Sequence, residues 1–386
     1  MNIILFDYKR ESFFPLTFTR PISDLRIGIV TIKEKWEYYY NNVSVKTEDY
    51  LMDKFPINLL NKNLWINSQV LPNQSLVDEI NNLREGEVIV KNQVPIAFKS
   101  EEFEFEKYNK KEVNVDFQFI QNNCDIFTLN GEEIKNDFER ITKGRTSEKL
   151  NASSVKVGSY PLFIEEGAKI EYAYLNCNEG PIYIGKNAEM MECCIVRGPF
   201  AMQEGAVLKL GAKIYNNTTL GPFCKVGGEV NNVVFQAYSN KGHDGFLGNA
   251  VIGEWCNFGA GSNNSNLKNN YTEVKLWDYV SRSFQNTGLQ FCGLIMGDHS
   301  KCGISSMLNT GTVVGVSVNI FGTGFPRNFI PSFSWGGPSG FSTYKTDKAF
   351  EVAEKVMQRR GKSFNTIEKK ILTHVFELTK FYRNEK

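Results

Sequence analysis

The sequence predicts a mixed α/β domain, then a parallel β-helix, then C-terminal helices, and three observations carry that reading. Steps of six from Ile184 give Met190, Val196, Met202, Leu208, Ile214, Leu220 and Val226, apolar without a miss, and a second run gives Met296, Cys302, Leu308, Val314 and Ile320. A helix would space apolar residues three and four apart and an ordinary strand two apart, so a strict six marks a hexapeptide repeat. Residues before about 140 instead mix strand-like and helix-like segments, and beyond 345 the pattern turns helical. The expected domains are therefore 1–145, 155–340 and 345–386.

In the first domain, "IILF" at 3–6 reads as a short buried strand and "EVNVDFQFIQ" at 112–121 as a half-buried one. "EEIKNDFERI" places Ile134, Phe138 and Ile141 at helical spacing, and the polar run Thr142 to Ser154 reads as a linker. Each hexapeptide then supplies a short strand and a tight turn, its apolar side chain stacking on the equivalent one in the next coil. One unit cannot bury its own apolar residue, whereas a stack of units buries each for about 1.5–3 kcal/mol. At the C-terminus, Phe350, Ala353 and Met357 share one helical face, Gly361 suits a helix end, and Ile367, Ile371, Val375 and Leu378 share another. These two helices are expected to cap the prism or a neighbouring subunit.

The totals exclude several classes. Lys+Arg 44 against Asp+Glu 43 leaves a net charge of +1 with no long basic run, which argues against a nucleic-acid partner. No apolar run approaches membrane-spanning length and the opening "MNIILFDYKR" lacks a signal-peptide core, so no membrane partner and a cytoplasmic location are expected. Eight cysteines without C-x-x-C spacing read as reduced thiols, and three histidines far apart give no metal site.

The segment "KGHDGFLGNAVIGEWCNFGAGSNNSNLKNNY", Lys241 to Tyr271, sharpens the reading. With the hexads around it, it resembles the hexapeptide-repeat acyltransferases, and in particular the acetyltransferase half of the bifunctional UDP-N-acetylglucosamine diphosphorylase/glucosamine-1-phosphate N-acetyltransferase family. That resemblance implies a left-handed β-helix, a homotrimer with active sites between prisms, and acetyl-CoA as cofactor. It implies His243 as general base, Asn257 and Asn266 at the amino sugar with Lys241 beside them, and Ala260 offering backbone to the acetyl group. Thr310 and Gly311, with Arg327, would line the coenzyme A channel. An imidazole's ordinary proton affinity suits deprotonation of an amine that attacks a thioester, and backbone N–H groups suit the oxyanion that forms. The competing reading makes His243 a surface-loop histidine and "NNSNLKNN" a polar loop. His299 and His374 read as structural or exposed.

The chain also departs from the family. "QEGA" at Gln203 to Ala206 stands where the family has an arginine for the sugar phosphate, Phe246 stands for a tyrosine, and Lys209, Lys213, Lys225 or Lys241 are the candidates to compensate. The opening keeps "PLTFTRP" but lacks the glycine-rich loop of sugar-1-phosphate nucleotidyltransferases, so it resembles a short, degenerate domain of that type. There Arg10, Arg20, Asp24 and Arg26 would supply cations for phosphates and a carboxylate for Mg2+, needed only if this domain is active; a salt-bridged surface is the alternative. Three functions follow: acetyl-CoA-dependent N-acetylation of an amino-sugar phosphate, sugar-1-phosphate nucleotidyl transfer with the β-helix for oligomerisation, or a non-catalytic scaffold that binds sugar nucleotides.

Overall fold

The computed structural model describes residues 2–383 and contains the α/β domain, the left-handed parallel β-helix and the C-terminal helices. The first domain holds a six-stranded sheet in the order Val43–Lys46, Asn2–Phe6, Asn63–Asn67, Val94–Ser100, Glu87–Lys91, Asn109–Glu112. Asn2–Phe6 runs parallel to both neighbours and is buried along its whole length, which is why "IILF" carries no alternation. The helices are α1 (Ile32–Glu37), α2 (Gln74–Asn81), α3 (Asn123–Thr128) and α4 (Asn130–Thr142). The strand expected over 112–121 is the exception. Its burial does alternate, but only Gln118–Phe119 pairs, with Val70–Leu71, because the chain leaves the sheet edge after Glu112 and meets no other ladder.

In the prism, Ile184, Met202 and Leu220 lie one coil apart in register, as do Met190, Leu208 and Val226. Every residue of both hexad runs is buried in one continuous core. The corner that follows the first of these columns needs a left-handed backbone in each coil, and Asn187, Gly205, Phe223, Tyr238, Trp255, His299, Ser317 and Phe333 all take positive φ there. Glycine and asparagine tolerate that conformation; the aromatic residues are strained in it and gain a stack in return. Phe223, Tyr238 and Trp255 stack with centroids 5.3 and 4.2 Å apart, and His299 follows at 6.3 Å.

The period breaks after Val226. The next residue opposite Val226 in the ladder is Lys241, a 15-residue step where the preceding coils take 18. Later, Ile252 pairs with Met296 across a step of 44 residues, and the excess chain folds out as a hairpin, Lys275–Asp278 against Ser283–Asn286.

The α/β domain is locked onto the prism. Arg20 is buried and ion-paired with Asp298 at 2.6 Å, Glu254 at 2.8 Å and Asp24 at 3.2 Å. Burial opposes ionisation of the Glu254 carboxyl, yet Arg20 outweighs it and holds the group below the usual carboxylate range. Ile134 and Phe138 of α4 pack with Phe163 and Tyr183 of the prism. The last helices, α5 (Thr346–Gln358) and α6 (Thr366–Leu378), bridge both parts. Ala353, Met357, Ile371 and Val375 are buried as their spacing requires, whereas Leu378 is exposed and Leu372 takes its place inside. His374 is exposed and stacks on Tyr50 with centroids 4.0 Å apart.

Candidate functional site

The shortened coils open a cleft of about 670 Å³ on one prism face. Its floor is a row of outward residues on consecutive coils, Lys225, Asn240, Asn257 and Lys301, each paired in register with the next. Gly242 and Gly259 lie beside that row and His243 and Ala260 form the rim, while Trp255 and α5, through Val356, Arg359 and Arg360, make the walls. The loop that carries His243 passes so close to the following coil that a Cβ on Gly245 would lie 2.1 Å from the Ser262 carbonyl oxygen, and Gly245 has φ +123°. Only glycine fits that crossing.

His243, Asn257 and Ala260 thus come together from a loop and the next coil, all exposed to the cleft. Asn266 does not join them: its Nδ2 donates to Asn249 Oδ1 at 2.7 Å. Lys241 is also elsewhere. Its side chain occupies the inward column of the prism, and its Nζ donates to the carbonyls of His243 at 2.9 Å and Gly227 at 3.1 Å. Burial pushes this ammonium down to about 8. Lys241 therefore holds the backbone of the His243 loop from inside the core, where a hexad residue would be apolar.

Thr310 and Arg327 line a second cleft of about 580 Å³ with Lys268, Lys275, Trp277 and Phe329, next to the protruding hairpin. Trp277 and Phe329 stack at 4.2 Å. Gly311 (φ +69°) is pressed against the hairpin, where a Cβ would lie 2.3 Å from the Lys275 carbonyl oxygen. Among the described residues no carboxylate lines either cleft.

The N-terminal candidates have partners within the protein. Arg10 is buried, donates to the Thr17 carbonyl and reaches the Tyr50 hydroxyl at 3.2 Å. Arg20 and Asp24 belong to the interdomain network, and Arg26 donates to the Gln236 carbonyl at 3.1 Å and the Ile29 carbonyl at 2.7 Å. Among the described residues no group of three or more His, Cys, Asp or Glu side chains is arranged to hold a metal ion, and no helix is long and apolar enough to cross a membrane.

Two departures gain a physical meaning. Gln203 faces the α/β domain and donates to the Ile29 carbonyl at 2.6 Å, so its identity reflects domain docking. Phe246 lies outside the cleft lining, its N–H bonded to Asn263 Oδ1 at 2.7 Å. Of the four lysines considered as substitutes for an arginine, Lys209 and Lys225 line the cleft; Lys213 lies on the next face, paired with Glu229. Sequence reasoning missed Lys301, Trp255, Arg359 and Arg360. Burial pushes Lys301 down to about 8, and its Nζ donates to the His299 carbonyl at 2.9 Å. The only sequence signal for Arg359 and Arg360 was a basic pair closing α5.

Residues 3–146 match a family model described as sugar nucleotidyl transferase. No curated protein matches the chain. Among solved structures, the polySia-specific acetyltransferase NeuO is similar at 13% identity, covering 55% of this chain and 99% of its own, with a TM-score of 0.29. The Arabidopsis UDP-N-acetylglucosamine acyltransferase is similar at 12%, covering 61% and 82%, with a TM-score of 0.28. A Bacillus cereus N-acyltransferase, AntD, solved as a point mutant with dTDP-4-amino-4,6-dideoxyglucose and coenzyme A, is similar at 13%, covering 53% and 91%, with a TM-score of 0.20.

Proposed function

We propose that the protein is an acetyl-CoA-dependent N-acetyltransferase whose acceptor is an amino-sugar phosphate. The observation that carries this reading is the convergence of His243, Asn257 and Ala260 in one cleft whose walls are cationic and free of carboxylates. His243 takes a proton from the acceptor amine as nitrogen attacks the thioester carbonyl, and returns it to the coenzyme A thiolate as the C–S bond breaks; the Ala260 N–H, which has no acceptor among the described residues, faces the oxygen that gains charge in between. Asn257 holds a sugar hydroxyl. Asn266 has no part in this scheme, and Lys241 serves it through the His243 carbonyl.

Coenzyme A fits the second cleft: Lys268, Lys275 and Arg327 are cations for its phosphates, and Trp277 offers a face to its adenine. Thr310 and Gly311 flank that channel. In this reading the protein is a homotrimer in which the first cleft of one prism meets the second cleft of its neighbour. Light scattering in solution tests that state directly.

The experiment is free-thiol release from acetyl-CoA with glucosamine 1-phosphate and related amino-sugar phosphates as acceptors. Wild type is expected to turn over and His243→Ala to lose about 10²–10⁴-fold in rate while keeping its thermal midpoint. Equal rates in both, or no release with any acceptor, would remove the proposal. The match of residues 3–146 to a sugar nucleotidyl transferase model favours a second reading, nucleotidyl transfer by the α/β domain, for which Mg2+-dependent pyrophosphate release is the assay. Arg10, Arg20, Asp24 and Arg26 weigh against it, since protein partners already occupy them. A sugar-nucleotide-binding scaffold would bind in both assays without turnover.

A further inference from the structure

Four cations converge on the end of the first cleft that α5 walls off. Lys209 and Lys225 come from two successive coils; Arg359 and Arg360 come from the residues that close α5. Lys225 is in register with Val207, so the two lysines lie one coil and two residues apart, in the cleft that Arg359 and Arg360 also line. None of the four is ion-paired among the described residues, and the one side-chain hydrogen bond is from Arg360 to Asn240 Oδ1 at 2.9 Å. Burial, Arg360, Lys209 and Arg359 push the Lys225 ammonium below its ordinary value, and the Glu189 carboxylate, two coils away in the same column and outside the cleft lining, offsets them only in part. Cations at a helix C-terminus have an ordinary explanation in the helix dipole, but that explains neither Lys209 nor Lys225, and bringing the two pairs together is unfavourable without an anion between them.

We infer that this end of the cleft is a diphosphate subsite, with Lys209 and Lys225 on one side and Arg359 and Arg360 on the other taking the charges of a diphosphate-bearing substrate. A lone phosphate needs only part of such a set, whereas cations on two coils and a facing helix match two linked phosphates. The inference deepens the proposed acetyl transfer and rests on it for the chemistry beside His243. It makes the C-terminal helix part of the substrate site and selects for acceptors or donors that carry a diphosphate. Two sources share that chemistry: a nucleoside diphosphate-linked sugar as acceptor, and coenzyme A, whose diphosphate would then sit here rather than against Lys268, Lys275 and Arg327.

Calorimetric titration with inorganic pyrophosphate tests it. Wild type is expected to bind pyrophosphate more tightly than orthophosphate, more weakly as salt rises, and Arg359→Gln/Arg360→Gln and Lys225→Gln are each expected to weaken pyrophosphate at least about tenfold. Among the described residues the Lys225 side chain has no hydrogen-bond or ion-pair partner, and it lies off α5, so its variant holds the test even if loss of Arg360 loosens the helix. Lys355→Gln, on the outer face of α5 in an exposed pair with Glu351, is expected to bind as wild type does. Absence of pyrophosphate binding in wild type, or equal loss in Lys355→Gln, would overturn the subsite. UDP and coenzyme A titrated into the same proteins separate the sources, since the subsite belongs to whichever loses affinity in both cation variants, and unchanged affinity for both also overturns it. Pyrophosphate binding is read without turnover, so a failed acetyl-transfer assay and a failed subsite give different results.

Discussion

The coils between Ile164 and Val226 and those between Gly227 and Ser262 share one fold and differ in how they use it. The first set keeps an 18-residue step from Ile182 onward and fills each inward position with an apolar side chain. In the second set the steps shrink to 15 or 17 residues, an inward position holds Lys241, and the outer face opens into the cleft. Regular repeats build stability; departures from the repeat place chemistry, because only there does the chain leave the ladder far enough to project a loop.

Three changes test that contrast. Ile184→Ala, in the regular stack, is expected to lower stability by about 2–5 kcal/mol in a denaturant titration while leaving turnover per folded molecule unchanged. His299 closes the aromatic column beside the cleft, and burial pushes its imidazole down to about 3, so the unfolded chain takes up a proton near pH 6.5 that the folded chain refuses. Stability is therefore lost as pH falls from about 6.5, by about 2 kcal/mol at pH 5. His299→Phe keeps the stack and is expected to remove that loss from thermal midpoints measured between pH 7 and 5. An unchanged acid sensitivity would assign it to another group.

The smallest effect is the sharpest. Lys241→Met restores an apolar hexad, so stability is expected to stay within about 1 kcal/mol of wild type. Turnover is expected to fall about tenfold in kcat with little change in KM, because the His243 loop loses its internal anchor. The ammonium is depressed to about 8 in the folded protein against about 10.4 in the unfolded chain, so its charged form opposes folding at neutral pH. Wild type should gain on the Met variant as pH rises from about 8 to 10.4. A Met variant as unstable as Ile184→Ala, with normal turnover, would erase the distinction between the two sets of coils.

The hexads were legible because one apolar column needs no partner beyond its own repeat. The convergence of His243, Asn257 and Ala260 was legible because these three lie within about twenty residues of chain, although the rest of the cleft lining comes from Lys209 to Arg360. The phase of Lys241 was hidden, since a coil three residues short resets the count, and the residue read as a substrate contact turned inward. Arg20 and Arg26 had the composition of a phosphate site and are engaged instead with Glu254, Asp298 and Gln236, more than 200 positions away. Arg360 meets Asn240 across 120 positions. No local pattern encodes such pairings, because they depend on how segments far apart in the chain pack into one shared core.

Arg20 also limits how this chain can change its length. Glu254 and Asp298 follow Ile252 and Met296, which pair on adjacent coils, so one guanidinium spans neighbouring rungs. Solenoids readily gain or lose whole units by duplication and deletion, but a unit added between these rungs would carry one carboxylate about 5 Å further off and strand it in the interior. The 26 extra residues found at that step left the prism as a hairpin and kept the rungs adjacent. Insertion of a coil between these two rungs is therefore disfavoured, and lineages of this chain should keep the rungs of Ile252 and Met296 adjacent whatever the length of the hairpin between them.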